Sequence, residues 1–99
     1  MRLRPGQLVI SRAGRDRGRL YLVARIIDER YVEVVDGKTR RQGNPKRKNI
    51  YHLTLLSKVA RDIESKLLAG QEISDEEVRE ALRNLGNDLG NDMNDGGGR

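Results

Sequence analysis

The first half of the chain consists of short runs rich in apolar and β-branched residues that are joined by turn residues, and this pattern predicts β-strands. Four short runs of this kind precede residue 56: Gln7–Arg12, Leu20–Asp28, Tyr31–Val35 and Asn49–Leu55. Asp36-Gly37 follows the third run and is a strong hairpin signal, because such turns need a positive φ that glycine adopts without strain. The second run is apolar on both of its alternating sets, which favours a small curled barrel over an open sheet.

The period changes to that of a helix from Ser57 onward. Val59, Ile63 and Leu67 recur at intervals of four and form one apolar stripe. Gly70 stands in the position at which glycine commonly ends a helix. The spacing therefore predicts a first helix between Ser57 and Gly70.

A second helix is predicted from the sequence Ser74-Asp75-Glu76-Glu77. This is a capping box, in which the serine hydroxyl accepts from the amide of Glu77 and the glutamate reaches back to the serine. Ile73 and Val78 flank the box as a hydrophobic staple. The apolar stripe of the helix is Val78, Leu82 and Leu85.

The Gly/Asn/Asp-rich segment 87–99 has too little apolar content to offset the entropy of ordering. Its two partial Gly-Asn-Asp repeats are too few to stack as a calcium-binding repeat. The predicted fold is therefore mainly β with C-terminal helices. It consists of a small barrel over residues 1–56, a two-helix extension over residues 57–86 and a disordered tail over residues 87–99.

The amino-acid composition excludes several classes of function. The 99 residues contain no cysteine, so the chain has neither a disulfide frame nor a thiolate zinc site, and its one histidine leaves little scope for a histidine-based triad or a histidine-rich metal cluster. No apolar run approaches the roughly 20 residues of a membrane span, and the N-terminus lacks the apolar stretch of a signal peptide. We expect a cytoplasmic binding module, monomeric when free, without cofactor or metal, and neither an enzyme nor a membrane protein.

Charge is divided unequally along the chain. Residues 1–58 hold 15 Lys+Arg and 5 Asp+Glu, whereas residues 59–99 hold 5 Lys+Arg and 10 Asp+Glu. Solubility explains a mild excess of surface charge but not this concentration, and clustered Lys and Arg residues are typical of nucleic-acid binders. The basic half is therefore predicted to bind a polyanion, and the acidic helices are a candidate docking site for a protein partner.

The first basic cluster lies between two predicted strands. It contains four arginines within eight residues: Arg12, Arg15, Arg17 and Arg19. Gly14 and Gly18 let the backbone turn its amides toward one point, and arginine grips a phosphate through two hydrogen bonds. We expect phosphate contact from this loop. The alternative is a tight surface loop with solvated arginines, in which Asp16 pairs with a neighbouring arginine.

The second basic cluster surrounds Pro45. Its members are Lys38, Arg40, Arg41, Lys46, Arg47 and Lys48. Because Pro45 lacks an amide for strand pairing, we expect a loop or the approach to an edge strand here. Nucleic-acid contact is the favoured interpretation, and a charged edge that blocks strand-to-strand aggregation is the alternative.

Asn49 and His52 are weaker candidates for polar contact with RNA, since a lone strand histidine is more often structural. The three tyrosines are each expected to serve the small core, which leaves a poor platform for stacking single-stranded bases. The scarcity of aromatic residues favours folded RNA, which is recognised through phosphates, 2′-hydroxyls and shape.

Several short motifs resemble those of a known family. Gly6-Gln7-Leu8-Val9 followed by Ala13-Gly14-Arg15-Asp16-x-Gly18 resembles a KOW motif, the strand–loop–strand unit of several ribosomal proteins and transcription elongation factors. Residues 6–85 are similar to the archaeal and eukaryotic large-subunit ribosomal protein fourteen-e family. The further motifs, in order, are Ile26-Ile27-Asp28, Lys46-Arg47-Lys48-x-x-x-His52-Leu53 with Asn49-Ile50, and Ser74-Asp75-Glu76-Glu77-Val78. The segment 36–49 looks more like the bacterial stand-alone branch.

This resemblance implies a Src-homology-3-like barrel whose basic loops bind ribosomal RNA. The implied function is non-enzymatic binding of structured RNA by a ribosomal or ribosome-associated protein. A rival from another class is a protein-interaction KOW module of a transcription or translation factor complex, in which the basic face meets an acidic protein surface.

Overall fold

Five strands come first along the chain and two helices last. The computed structural model describes residues 3–97, with side chains as far as residue 87. The strands are β1 (Gln7–Ser11), β2 (Leu20–Ile26), β3 (Tyr31–Val35), β4 (Lys46–Asn49) and β5 (Leu53–Val59). The helices are α1 (Arg61–Leu68) and α2 (Asp75–Gly97), and a 3₁₀ turn (Ile50–His52) separates β4 from β5. The prediction of a mainly β region followed by two helices is confirmed.

The strands form one antiparallel sheet in the order β4-β3-β2-β1-β5. The ladder is irregular between Gln7 and Val9 and between Val23 and Arg25. Irregularities of this kind bend a strand and increase its twist. The strand order places the basic strand β4 at one edge of the sheet and β5, which leads into α1, at the other.

Both faces of the sheet are buried, as the two apolar sets of β2 predict. One face, called here the inner face, holds the cluster Val9, Tyr21, Val23, Val32, Val34 and Leu53. The opposite face packs against the helices through the cluster Leu8, Leu22, Val35, Ile63, Ile73 and Val78. A fully buried aliphatic side chain contributes about 1.5–3 kcal/mol. The acidic helices therefore complete the core of the sheet.

Three of the four predicted strands are present with small changes at their ends. β3 has the predicted bounds, whereas β1 ends one residue earlier than predicted and β2 ends two residues earlier. Gly37 has the positive φ expected after β3, at 77°. A long loop over residues 36–45 then leads to β4, which begins directly after Pro45 at the sheet edge.

The prediction of one continuous strand over Asn49–Leu55 is wrong. Asn49 ends β4 and caps the 3₁₀ turn, and β5 begins only at Leu53. The Asn49 side chain accepts a hydrogen bond from the amide of Tyr51 at 2.9 Å. Local bonds of this type compete with strand pairing, and this one turns the chain between the two strands.

The first helix also begins later than predicted. β5 continues through Ser57 to Val59, and α1 starts at Arg61 after the cap residue Ala60. Val59 lies opposite Gln7 in the ladder between β1 and β5. Pairing with β1 therefore keeps residues 57–59 extended, although their spacing is that of a helix.

The predicted end of α1 and the predicted start of α2 agree with the structure. Gly70 follows α1 with a φ of 74°, and its amide donates to the carbonyl of Leu67 at 3.1 Å. At the start of α2 the amide of Glu77 donates to Ser74 Oγ at 3.0 Å, and the amide of Ser74 donates to Glu77 Oε2 at 2.9 Å. The capping box is thus formed in both directions.

α2 is longer than predicted. Its backbone is helical to Gly97, whereas composition predicts a disordered tail from residue 87. Leu85, Leu89 and Met93 recur every four residues, and this spacing continues the helical stripe through the Gly/Asn/Asp segment. The last two residues of the predicted tail, 98 and 99, lie outside the described residues. Within residues 3–97, no helix is both long and apolar enough to cross a membrane.

Candidate functional site

The loop over residues 12–19, between β1 and β2, exposes all four of its arginines: Arg12, Arg15, Arg17 and Arg19. Gly14 and Gly18 have φ values of 82° and 86°, a region that residues with a Cβ rarely adopt. The amide of Gly18 donates to the carbonyl of Ser11 at 2.7 Å and closes the loop. The backbone of this arginine loop is therefore fixed while its four arginine side chains face solvent.

Asp16 ties the arginine loop to the sheet. It is 8% exposed, and its Oδ1 accepts a hydrogen bond from Ser11 Oγ at 2.8 Å. Its Oδ2 accepts from the phenol of Tyr21 at 2.8 Å. Since Ser11 belongs to β1 and Tyr21 to β2, one carboxylate joins the two strands that the loop connects.

The cationic partners of Asp16 are lysines of β4, not the neighbouring arginine that the sequence suggests. Lys48 is 8% exposed, and its ammonium donates to Asp16 Oδ1 at 3.2 Å and to Ser11 Oγ at 3.1 Å. Lys46 donates to Asp16 Oδ2 at 3.1 Å. Both lysines thus bond the Asp16 carboxylate, Lys48 from a buried position and Lys46 from a partly exposed one, and their contact with RNA stays a prediction. We call these residues the Asp16 cluster: Ser11, Asp16, Tyr21, Lys46 and Lys48.

The register of the sheet explains why these lysines turn inward. Lys46 and Lys48 lie opposite Val34 and Val32 in the ladder between β4 and β3, and cross-strand partners share a face. Their side chains therefore lie on the inner face, whereas Arg47 between them lies on the other. Because successive side chains of β4 point to opposite faces of the sheet, the three consecutive basic residues 46–48 do not share one surface.

The Asp16 cluster favours an ionised carboxylate. Burial alone raises the pKa of Asp16, but hydrogen bonds from Tyr21, Ser11, Lys46 and Lys48 outweigh burial and hold that pKa well below its usual range. Burial, together with the hydrogen bond to the Asp16 carboxylate, raises the pKa of the Tyr21 phenol. The proton therefore stays on Tyr21, and the cluster holds a fixed negative charge between two lysines.

Asp36 organises the second basic loop, over residues 36–45, through that loop's own backbone. Its Oδ1 accepts from the amides of Lys38 and Arg40, both at 2.8 Å, and its Oδ2 accepts from the Thr39 hydroxyl at 2.8 Å. Burial raises the pKa of Asp36, but these hydrogen bonds bring it below the ordinary value. None of these three bonds uses a charged side chain of the loop.

Helix α2 holds the same loop from its other side. The guanidinium of Arg79 donates to the carbonyl of Gly37 at 2.6 Å, and the amide of Gln42 donates to Asp75 Oδ1 at 2.8 Å. A Cβ at position 37 would lie 2.5 Å from the carbonyl oxygen of Asp75. The acidic half thus positions the second basic loop, a role that the charge count does not indicate.

The remaining members of the second cluster face outward to different degrees. Lys38, Arg41 and Arg47 are exposed, and Arg40 is half-buried. Arg47 lies over the ring of Tyr31, with its guanidinium carbon 4.2 Å from the ring centroid, which is a cation–π contact. These four residues are more open to an anionic partner than Lys48, which is buried.

The 3₁₀ turn lies directly beside the arginine loop. His52, predicted in a strand, is exposed in this turn, and its carbonyl accepts from the amide of Arg12 at 2.9 Å. Asn49 uses its side-chain oxygen to cap the turn. Tyr51 is 70% exposed, so the expectation that every tyrosine serves the core is wrong.

Tyr51 is a functional candidate that the sequence pattern missed. An aromatic ring at this exposure has little packing role, and rings beside basic loops are surfaces on which bases stack. The signal that could have found it is Asn49, a residue type that favours caps and turns. An aromatic residue two positions after such a cap lies outside a strand, so strand alternation does not predict which way its side chain points.

Comparison of the sequence with protein-family models and with curated protein sequences finds no match. Among the described residues, no group of three or more His, Cys, Asp and Glu side chains is placed to hold a metal ion. The arrangement is suited to holding anions: a rigid loop presents four arginines, and an exposed tyrosine and histidine lie next to it.

Proposed function

We propose that this chain is a non-enzymatic RNA-binding protein built on a KOW-type, Src-homology-3-like barrel. It binds structured RNA, ribosomal RNA in particular, as a ribosomal or ribosome-associated protein of the cytoplasm. The observation that supports this most is the separation of charge around Asp16. One buried carboxylate takes up Lys46 and Lys48, while the four arginines of the adjoining loop are exposed.

Rigidity of the arginine loop supports phosphate binding. Binding orders flexible side chains and loops at a cost in entropy, and a loop that is already fixed avoids much of that cost. The Asp16 cluster and the bond from Gly18 to Ser11 fix this backbone in advance. Each exposed arginine can then form two charge-assisted hydrogen bonds with a phosphate.

The proposed contact set follows the structure and differs from the sequence-based set. It excludes Lys46 and Lys48, and it excludes the capping oxygen of Asn49. It adds the exposed ring of Tyr51. The proposed contact residues are Arg12, Arg15, Arg17, Arg19, Lys38, Arg40, Arg41, Arg47, Tyr51 and His52.

Folded RNA with an unpaired base is the target that these groups suit best. Double-helical RNA is recognised mainly through phosphates and 2′-hydroxyls, and unpaired bases in loops and bulges stack on aromatic side chains. The arginines serve the first kind of contact, and Tyr51 serves the second. One exposed ring beside the arginine loop is fewer than a sequence-tolerant single-strand binder uses.

Salt dependence of RNA binding tests the electrostatic part of the proposal. If about six phosphates are engaged, the logarithm of the affinity for a structured RNA falls with the logarithm of salt concentration at a slope of about −4 to −5. Fluorescence anisotropy with a labelled ribosomal RNA hairpin measures this slope. A flat dependence would exclude the mechanism.

Paired substitutions locate the site. Arg15→Ala with Arg17→Ala removes two exposed charges from the arginine loop and is expected to lower RNA affinity at least about tenfold. The matched control, Arg25→Ala with Arg61→Ala, removes two exposed charges elsewhere on the molecule. An equal loss of affinity in both variants would show that net charge, rather than this loop, binds the RNA.

The rival function, a protein-interaction module, predicts a different partner. Sedimentation of a lysate followed by detection in the ribosomal fractions, before and after a high-salt wash, distinguishes the two. Co-sedimentation that the Arg15→Ala, Arg17→Ala variant loses supports RNA binding. Co-sedimentation that survives both this variant and ribonuclease treatment supports the protein partner.

A further inference from the structure

A basic cavity lies where β2, the 36–45 loop and α2 meet. Its volume is about 570 Å³, within the range of roughly 300–1,000 Å³ that is usual for small-molecule sites. Four of its lining residues are basic: Arg19, Lys38, Arg79 and Arg83. Arg79 and Arg83 come from the acidic half of the chain and lie on one face of α2 at a spacing of four residues.

Two of these arginines are held by uncharged acceptors. Arg79 donates to the carbonyl of Gly37 at 2.6 Å, and Arg19 donates to Thr39 Oγ1 at 3.1 Å. Asp36, the acidic residue of the lining, already accepts hydrogen bonds from the backbone and hydroxyl of its own loop. It approaches Arg19 only at 3.9 Å. The cavity therefore keeps a clear excess of positive charge.

The other part of the lining is apolar. Leu20 and Leu82 are partly buried and pack against the core between sheet and helices, and both line the cavity. A Cβ on Gly86 would lie 3.3 Å from Leu20 Cδ1, so α2 passes close to β2 at this point. The cavity thus combines several positive groups with an apolar wall, and a bare inorganic anion would leave that wall unused.

We propose that this cavity binds one nucleotide unit. Arg19, Lys38, Arg79 and Arg83 hold its phosphate, and the sugar or base packs against Leu20 and Leu82. The unit is either a free nucleoside monophosphate or a nucleotide of an RNA strand, since the recognised chemistry is the same. Arg19 and Lys38 also belong to the proposed RNA contact set, whereas Arg79 and Arg83 lie on α2, outside both basic loops. The site therefore goes beyond the proposed RNA-binding function, and only its RNA-strand form rests on that function.

Titration of the full chain with adenosine monophosphate, followed by amide NMR shifts, tests the site. Shifts are expected at Thr39, Leu82 and Arg83. Arg83→Glu is expected to weaken binding at least about tenfold, because it replaces a charge-assisted bond by repulsion. The control Arg61→Glu makes the same charge change on the other helix and is expected to alter affinity less than about twofold.

A second variant separates ligand binding from loop folding, since Arg79 also holds Gly37. Arg79→Lys keeps the charge and removes the guanidinium fork, so it is expected to bind the nucleotide several-fold more weakly while the wild-type spectrum is retained. Titration with inorganic phosphate is expected to give clearly weaker binding than the nucleotide. Equal affinity for the two would overturn the nucleotide assignment.

The two sources of the nucleotide give different results. If adenosine monophosphate shifts these resonances, a free nucleotide is sufficient. If only an RNA hairpin shifts them, the unit belongs to a strand. Absence of shifts with both ligands, or equal affinities of Arg83→Glu and Arg61→Glu, overturns the proposal. The arginine-loop variant Arg15→Ala, Arg17→Ala is expected to bind adenosine monophosphate normally, so failure of RNA binding at that loop is distinguishable from failure of this site.

Discussion

The two basic loops are each built around a buried aspartate, and the two aspartates act in opposite ways. Asp16 collects side chains from β1, β2 and β4, two of them lysines. Asp36 collects amides and a hydroxyl from its own loop. The first loop is therefore fixed by contacts that the whole sheet must supply, and the second by contacts that lie within a few residues.

This difference shows that clustered positive charge has two uses in one small domain. Lys46 and Lys48 of the edge strand β4 neutralise the buried carboxylate of Asp16, while the arginines of the loop that contains Asp16 stay on the surface. The second loop needs no lysine for its own structure, but it relies on α2, which contacts it through Arg79 and Asp75. A residue's charge alone does not distinguish these uses.

The largest expected effect is that of Asp16→Asn. It leaves the buried ammonium of Lys48 without its counter-charge, and removing one partner of a buried pair costs about 3–5 kcal/mol. Asp36→Asn keeps an oxygen for its backbone donors and is expected to cost about 1–2 kcal/mol. Urea denaturation followed by far-ultraviolet circular dichroism measures both free energies of unfolding. The contrast between the loops fails if the two costs are equal.

Lysine substitutions test the same difference between the two loops, because Lys48 bonds a buried aspartate and Lys38 does not. Lys48→Met is expected to lower the free energy of unfolding by about 1.5–3 kcal/mol, because it removes hydrogen bonds to a buried carboxylate. Lys38→Met, at an exposed position, is expected to change it by less than about 0.5 kcal/mol and to weaken RNA binding. A Lys48→Met protein of normal stability but poor RNA affinity would return Lys48 to the contact set.

Glycine substitutions separate backbone strain from contact with α2. Gly37 and Gly18 both have positive φ, 77° and 86°. An added Cβ at position 18 meets nothing within 4 Å, whereas one at position 37 meets the carbonyl oxygen of Asp75. Gly37→Ala is therefore expected to destabilise the protein by about 1–2 kcal/mol more than Gly18→Ala in thermal unfolding. Equal destabilisation would show that α2 does not hold the loop.

The smallest expected effect is the fall in the free energy of unfolding at acidic pH. The folded-state pKa of Asp16 lies below the unfolded value of 3.8, so its stabilising contribution is present above that value and is lost as pH falls toward the folded pKa. The loss by pH 3 is on the order of 1 kcal/mol. Denaturation at pH 5 and pH 3 is expected to show this loss in the wild type and a smaller one in Asp16→Asn. Identical pH dependence in both proteins would contradict the role of the carboxylate.

Features that depend on neighbouring residues could be predicted from the sequence. The capping box at Ser74 and Glu77, the glycine that ends α1 and the bounds of β3 follow from short-range chemistry, and all three agree with the structure. The break between β4 and β5 at Asn49 also has a local cause, but the β-branched and apolar residues that follow Asn49 favoured the prediction of one continuous strand.

Features that depend on register could not be predicted in this way. Whether Lys48 faces solvent or a buried carboxylate depends on which residue of β3 it opposes, and a single sequence does not state that pairing. The position of Arg79 against Gly37 depends likewise on how a helix packs across the sheet. The two regions of clustered charge could therefore be read from the sequence, whereas the burial of Lys48 against Asp16 could not.

The exposure of Tyr51 has a practical optical consequence. The chain has no tryptophan and three tyrosines, so its intrinsic fluorescence is tyrosine emission. Tyr21 is 1% exposed and Tyr51 is 70% exposed, which makes the ring beside the arginine loop far more sensitive to a ligand in solution. A base that stacks on Tyr51 would quench that emission, and Tyr51→Leu would remove the response. The unlabelled protein thus carries its own fluorescent reporter of RNA binding.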